Sequence, residues 1–173
     1  PPAALVDLVT TRAQGNAFYI EELLNFIGSQ GVHPQDEAAI RKLELPESLH
    51  SLILSRIDAV GEAPRRTLKV ASVVGRTFSA PMLPGVYPEL GAFDAVKGHL
   101  ETLGAQDLLS IEQEGEQTYL FKHVVTQEVA YESLPFGFRA MKHETIGLHL
   151  ERLAGGDERS WIDLLAFHYG RSN

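Results

Sequence analysis

Cysteine is absent from the 173 residues, which excludes a disulfide framework and thiolate metal sites and fits a reducing, cytoplasmic setting. Long apolar runs are absent too. None approaches the roughly 20 residues that cross a bilayer, and no basic stretch followed by an apolar one opens the chain, so no membrane contact and no secretory leader are expected. Positive charge is scarce: 15 lysines and arginines stand against 23 acidic side chains, a net charge of -8. No group of cations gathers on one face, so a nucleic-acid duplex meets net repulsion. What remains, 44% hydrophobic and 22% charged residues, is the make-up of a soluble globular protein with enough chain for one good core or two small ones.

Catalytic signatures are missing as well. A Walker-type phosphate loop needs glycines whose N–H groups wrap the phosphates and then a lysine preceded by glycine, and no Gly-Lys dipeptide occurs. His143-Glu144 begins like a zinc-protease helix. The next histidine, His149, stands about 240° round the helix from His143, so the two cannot share one ion. No serine sits in a G-x-S-x-G elbow. No catalytic or metal-ligating residue is assigned, and the chain is not expected to be an enzyme by itself.

What is present is helical periodicity. Leu5, Leu8 and Val9 predict a helix from Ala3 to about Gln14, ended by Gly15-Asn16. In the next helix Ile20, Leu23, Leu24 and Ile27 fall at i, i+3, i+4 and i+7 and predict the buried stripe, with Glu21, Glu22 and Asn25 facing away. The glycines, Pro34 and charges of 28–45 predict a long mobile connection. Pro46 is read as the first turn of a third helix carrying Leu49, Leu52, Ile53, Ile57 and Val60. Residues 1–60 therefore form one helical unit.

The following segment has another grammar. A helix from about Glu62 to Val74 stops at Gly75, and an extended piece at 76–78 follows. Pro81 and Pro84 limit the next helix to one or two turns. Phe93, Val96, Leu100 and Leu103 mark another helix, and strands at 108–112 and 118–121 flank Glu114-Gly115. Helix, short strand, helix, helix, hairpin is the order of a winged helix-turn-helix. Its second helix, 91–103, offers a nearly neutral set, Asp94, Lys97, His99 and Glu101, and its hairpin tip carries Glu112, Glu114 and Glu116. That wing would repel DNA phosphates. Three more helices are expected at 123–134, 137–154 and 158–170.

The joint at His123 is the strongest functional signal. In YLFKHVVTQEVAYESL, residues 119–134, a strand-like segment runs into an amphipathic helix with His123 between them. The plain reading is a packed, hydrogen-bonded core residue. The other starts from helix electrostatics: histidine is a poor N-cap, and an imidazolium is disfavoured at the positive end of a helix. A neutral imidazole donating to a phosphate at those unpaired N–H groups removes both objections.

Four ordered blocks, RAQGNAFYIEELL (12–24), LPESLHSLILSRID (45–58), LKVASVVGRTFS (68–79) and FKHVVTQEVAYESL (121–134), resemble the C-terminal half of the AAA-type nucleotide-binding module of STAND-class signal-transduction ATPases. The likeness is to bacterial class III adenylate or guanylate cyclases with tetratricopeptide repeats and to large LuxR-type regulators. The resemblance implies a mainly α fold with a small β-hairpin: a helical lid at 1–60, a winged-helix domain at 61–135, and C-terminal helices at 136–173 leading into helical repeats.

The same resemblance implies partners within one longer chain, a P-loop ATPase domain upstream and helical repeats downstream, and the abrupt start PPAALVDL reads as a segment of such a chain. ATP or ADP with Mg is the cofactor expected of that parent, with none held by this portion alone. A Gly-x-Pro motif that lies against adenine falls on Gly15, Asn16 and Ala17, and a histidine that touches the β-phosphate of ADP falls on His123. The chain departs from the pattern at Ala17, which lacks the fixed backbone and flat face of proline. The function so implied is regulation within an ATP/ADP-dependent switch, in a protein with ATPase and cyclase-like activity. The alternatives are an interaction scaffold with no nucleotide role and, less favoured by the acidic wing, a DNA-binding regulator. Neither the output domain nor the oligomeric state is legible.

Overall fold

The computed structural model describes residues 2–13, 15–33, 35–113, 115, 117–155 and 158–173. They are mainly helical with one small antiparallel sheet, and the chain divides into two compact units, Pro1–Arg56 and Ile57–Asn173.

The first unit holds helices α1 (Ala3–Ala13), α2 (Ala17–Ser29) and α3 (Glu37–Lys42), and α4 (Leu49–Ala59) carries the chain onward into the second unit. Leu5, Ala13, Tyr19, Leu23, Phe26, Ile27, Ile40 and Leu52 form its core. The turn between α1 and α2 passes through Gly15 at φ +84°, a left-handed conformation that glycine adopts without steric cost. Gln14, the expected end of the first helix, lies outside the described residues.

Three expectations need correction here. The buried face of α2 is Tyr19, Glu22, Leu23, Phe26 and Ile27, whereas Leu24 is 44% exposed and Ile20 only half-buried. The stripe is rotated because two large aromatics enter the core and because Glu22, read as outward-facing, is neutralised there by Arg56. The segment 28–45 is not a bare connection. Asp36 accepts from the Ala39 N–H at 2.9 Å and caps α3, whose Ile40 is buried. Pro46 lies before α4 rather than in its first turn. Ser48 accepts from the Ser51 N–H at 3.1 Å while Ser51 Oγ accepts from the Ser48 N–H at 3.0 Å, a reciprocal capping box that sets the start at Leu49.

The second unit is built round α5 (Glu62–Val74), which packs against α7 (Phe93–Ala105), α8 (Val124–Glu132) and α9 (Phe136–Ala154). Between them come β1 (Thr77–Ser79), α6 (Met82–Val86), β2 (Leu109–Gln113) and β3 (Thr118–Phe121); α10 (Ile162–Tyr169) follows α9. Short 3-10 turns cover Pro88–Leu90 and Glu158–Trp161. The extended piece after Gly75 is therefore a true strand, and the sheet order is β1-β3-β2, with Tyr119 opposite Phe78 on one side and Ile111 on the other. At the hairpin tip Glu114 and Glu116 lie outside the described residues, while Glu112 is exposed.

His99 belongs to the interior side of α7 rather than to an outward-facing set. It is half-buried, and its Nδ1 lies 2.9 Å from the hydroxyl of buried Thr67 on α5, which ties the two helices together. Burial lowers its pKa from the ordinary 6.5.

Candidate functional site

His123 is the N-cap residue of α8, reached two residues after the end of β3, with an extended backbone (φ -126°, ψ 138°). Its carbonyl accepts from the Thr126 N–H at 3.1 Å and so starts the helix, while its side chain makes no capping hydrogen bond. The residue is half-buried, with Nε2 shielded from solvent. The His123 side chain thus supplies no capping oxygen to the start of α8, and a helix start is a place where an anion is favoured.

Gly15, Asn16 and Ala17 sit together at the turn that opens α2, in the first unit, and all three are exposed. Asn16 is the N-cap, its Oδ1 accepting from the Tyr19 N–H at 3.1 Å. Ala17 is the first helical residue, and Asn16 before it is extended at ψ 103°. An extended residue before the first helical position is compatible with a proline there.

The residues that periodicity missed are buried and polar. His143 on α9 is 1% exposed and His168 on α10 is 0% exposed. Their Nδ1 atoms lie 2.8 Å apart, and the Tyr131 hydroxyl of α8 is 3.0 Å from His143 Nε2. Gly147 permits this close approach of α9 and α10, since a Cβ there would stand 2.7 Å from the Tyr169 ring. Burial lowers both imidazoles from 6.5 to about 4, helped at His143 by Arg171 and Arg139 and at His168 by His143 and Arg171. At neutral pH the pair is uncharged. A signal for His143 existed: it precedes Ile146, Gly147 and Leu150 at helical spacing, so a 3.6 period places it in the apolar stripe.

Immediately before His143 on α9, Lys142 is also buried, its Nζ 3.8 Å from the centre of the Tyr87 ring. Burial lowers its pKa while Glu89 opposes the fall. This cation–π contact fastens α9 to the segment after α6 and needs no ligand to account for it.

Among the described residues no group of three or more His, Asp or Glu side chains is placed to hold a metal ion, and no described helix is long and apolar enough to cross a membrane. No family model matches the chain and no solved structure matches it. The chain is similar to an uncharacterized protein of Rhizobium meliloti (strain 1021), 28% identical over 179 aligned positions that take in 98% of the chain. It spans only 17% of that relative's length.

Proposed function

We propose that this chain is the regulatory portion of an ATP/ADP-operated signalling switch in the cytoplasm, in which it senses bound nucleotide and relays its state. The observation that carries the reading is His123 at the start of α8, on a strand-to-helix joint whose amides suit a phosphate. The ordered likeness to STAND-class modules supports it. So does the turn at Gly15, Asn16 and Ala17, where extended Asn16 before the first helical position is compatible with the proline of a Gly-x-Pro motif.

In this reading the first unit is a helical lid and the second a winged helix followed by the helices that lead into repeats. ADP with Mg is held on an upstream P-loop domain and also contacts the lid turn and His123, favouring a closed arrangement. Exchange for ATP weakens those joint contacts and releases the winged helix, because a ligand shifts an equilibrium only by its different affinity for the two states. Contact through Nε2 requires the ring to turn outward, a rearrangement such a switch allows. The portion contributes positioning and relay; hydrolysis belongs to the upstream domain, and cyclisation to a separate output domain.

A second reading, a docking scaffold with no nucleotide role, draws on Asn16, whose side chain is already committed to capping α2. Calorimetric titration of ADP into a longer chain that includes the upstream domain separates the two. Saturable binding is expected, and heats indistinguishable from dilution favour the scaffold.

A further inference from the structure

The expectation that cations gather nowhere fails at one small place. In the second unit a cleft of about 230 Å³ lies between α5 and the corner where α8 gives way to α9, and its charged lining is Arg65, Arg66 and Lys69 with Glu62. Three cations to one acid reverses the balance of the whole chain, 15 to 23. The rest of the lining is apolar: Val70 is buried, and Leu134 and Phe138 are half-buried.

This gathering carries a cost within the helix. Lys69 follows Arg65 by four residues and Arg66 by three on α5, spacings at which like charges destabilise a helix. Local carboxylates relieve only part of it. Arg66 donates to Glu62 at 2.7 Å and Arg65 reaches Asp58 at 3.4 Å, and both of those carboxylates are more than half exposed. Among the described residues no carboxylate pairs with Lys69. Exposed pairs of this kind contribute little, so an incoming carboxylate replaces them at small cost.

Size and charge together choose the occupant. The cleft is smaller than the roughly 300 Å³ at which small-molecule pockets begin, yet it has room for one or two side chains of a polypeptide. A nucleic-acid strand would bring a phosphate with every nucleotide to a chain of net charge -8. We infer that this cleft docks an acidic segment of a partner polypeptide, its carboxylates received by Lys69 and the two guanidinium groups and a neighbouring apolar side chain laid against Leu134 and Phe138. Guanidinium forks match the geometry of a carboxylate, and the apolar lining adds burial that charge alone does not give. The surface adjoins the end of α8 opposite to His123 and does not rest on the nucleotide reading.

The test titrates acetyl-Glu-Glu-Phe-amide into the full chain at low salt, beside its uncharged counterpart acetyl-Gln-Gln-Phe-amide, and follows both by heteronuclear NMR. The acidic peptide is expected to shift the Nε–H signals of Arg65 and Arg66, the Leu134 methyls and the Phe138 ring, with an affinity about tenfold or more above that of the amide peptide and falling as salt is added. Lys69→Glu is expected to abolish those shifts and to leave the spectrum of the remaining chain in place. Lys97→Glu, at an exposed position of α7 that does not line the cleft, makes the same change of net charge and is expected to leave binding unaltered. Equal affinities for the two peptides, shifts located elsewhere, an absence of shifts, or equal losses from the two variants would overturn the proposal. Tighter binding of an oligothymidylate at these same residues would also overturn it, by making a nucleic acid the occupant.

Discussion

The two units bury polar side chains in opposite ways. The first encloses a charged pair, Glu22 with Arg56, beside the Leu23 and Phe26 core. The second encloses a neutral pair, His143 with His168, backed by Tyr131. A charged pair offsets its desolvation by direct attraction, so removing either partner strands a charge. A neutral imidazole pair avoids most of that desolvation but exists only while both rings are unprotonated. The first unit is accordingly the one most sensitive to loss of a partner, and the second to acid.

The largest expected effect breaks the charged pair. Arg56→Ala leaves the Glu22 carboxylate buried without its cation and should cost about 3–5 kcal/mol in urea unfolding. Glu22→Met added to that variant should restore most of the loss, because packed hydrocarbon replaces the whole pair. A loss below about 1 kcal/mol for Arg56→Ala would mean that the pair behaves as a surface contact.

Acidification probes the other unit. Folded His143 and His168 titrate at about 4, against an ordinary unfolded value near 6.5. Between these limits the unfolded chain binds more protons, so stability is fully present above about pH 6.5 and lost as the pH falls toward 4. Each imidazole that stays neutral in the fold costs roughly 1.4 kcal/mol per pH unit over that window, on the order of 3 kcal/mol for each ring. Arg139 and Arg171 stand against protonation, while Glu128 and Glu132 line the neighbouring cleft. The protection of the α9 and α10 amides, measured against the intrinsic exchange rate at each pH, should fall between pH 7 and 4.5. A flat profile there would show that the rings protonate without loosening the helices.

The smallest expected effect concerns the two helix starts that carry the functional reading. Asn16→Ala removes the oxygen that caps α2 and should cost about 1 kcal/mol by thermal or urea unfolding. His123→Ala should cost less, because that side chain caps nothing in α8. The reverse order would make His123 the structural residue and Asn16 the expendable one.

Much of the second unit was legible because its punctuation is strong. Gly75 ends α5 where expected, Pro81 and Pro84 keep α6 to Met82–Val86, and the hairpin strands fall within a residue of their expected limits. The place of His123 between β3 and α8 was legible by the same means, since one period gives way to another there. Glu22, His143 and His168 were not legible. Periodicity turns polar residues outward, and the partners that hold these three inside lie 34 and 25 residues away in the chain. The third strand was half-visible, since a three-residue strand at a sheet edge carries no alternation of its own. Ser48 held a cap signal that Pro46 obscured, and the short α3 was hidden among glycines and charges although Asp36 and Ile40 mark it.

The account stands most directly on nucleotide affinity. In a longer chain carrying the upstream P-loop domain, ADP should bind about 5- to 150-fold more weakly to His123→Ala than to the unsubstituted protein, the loss of about 1–3 kcal/mol that accompanies a missing charge-assisted hydrogen bond. Equal ADP affinities for the two proteins would contradict it.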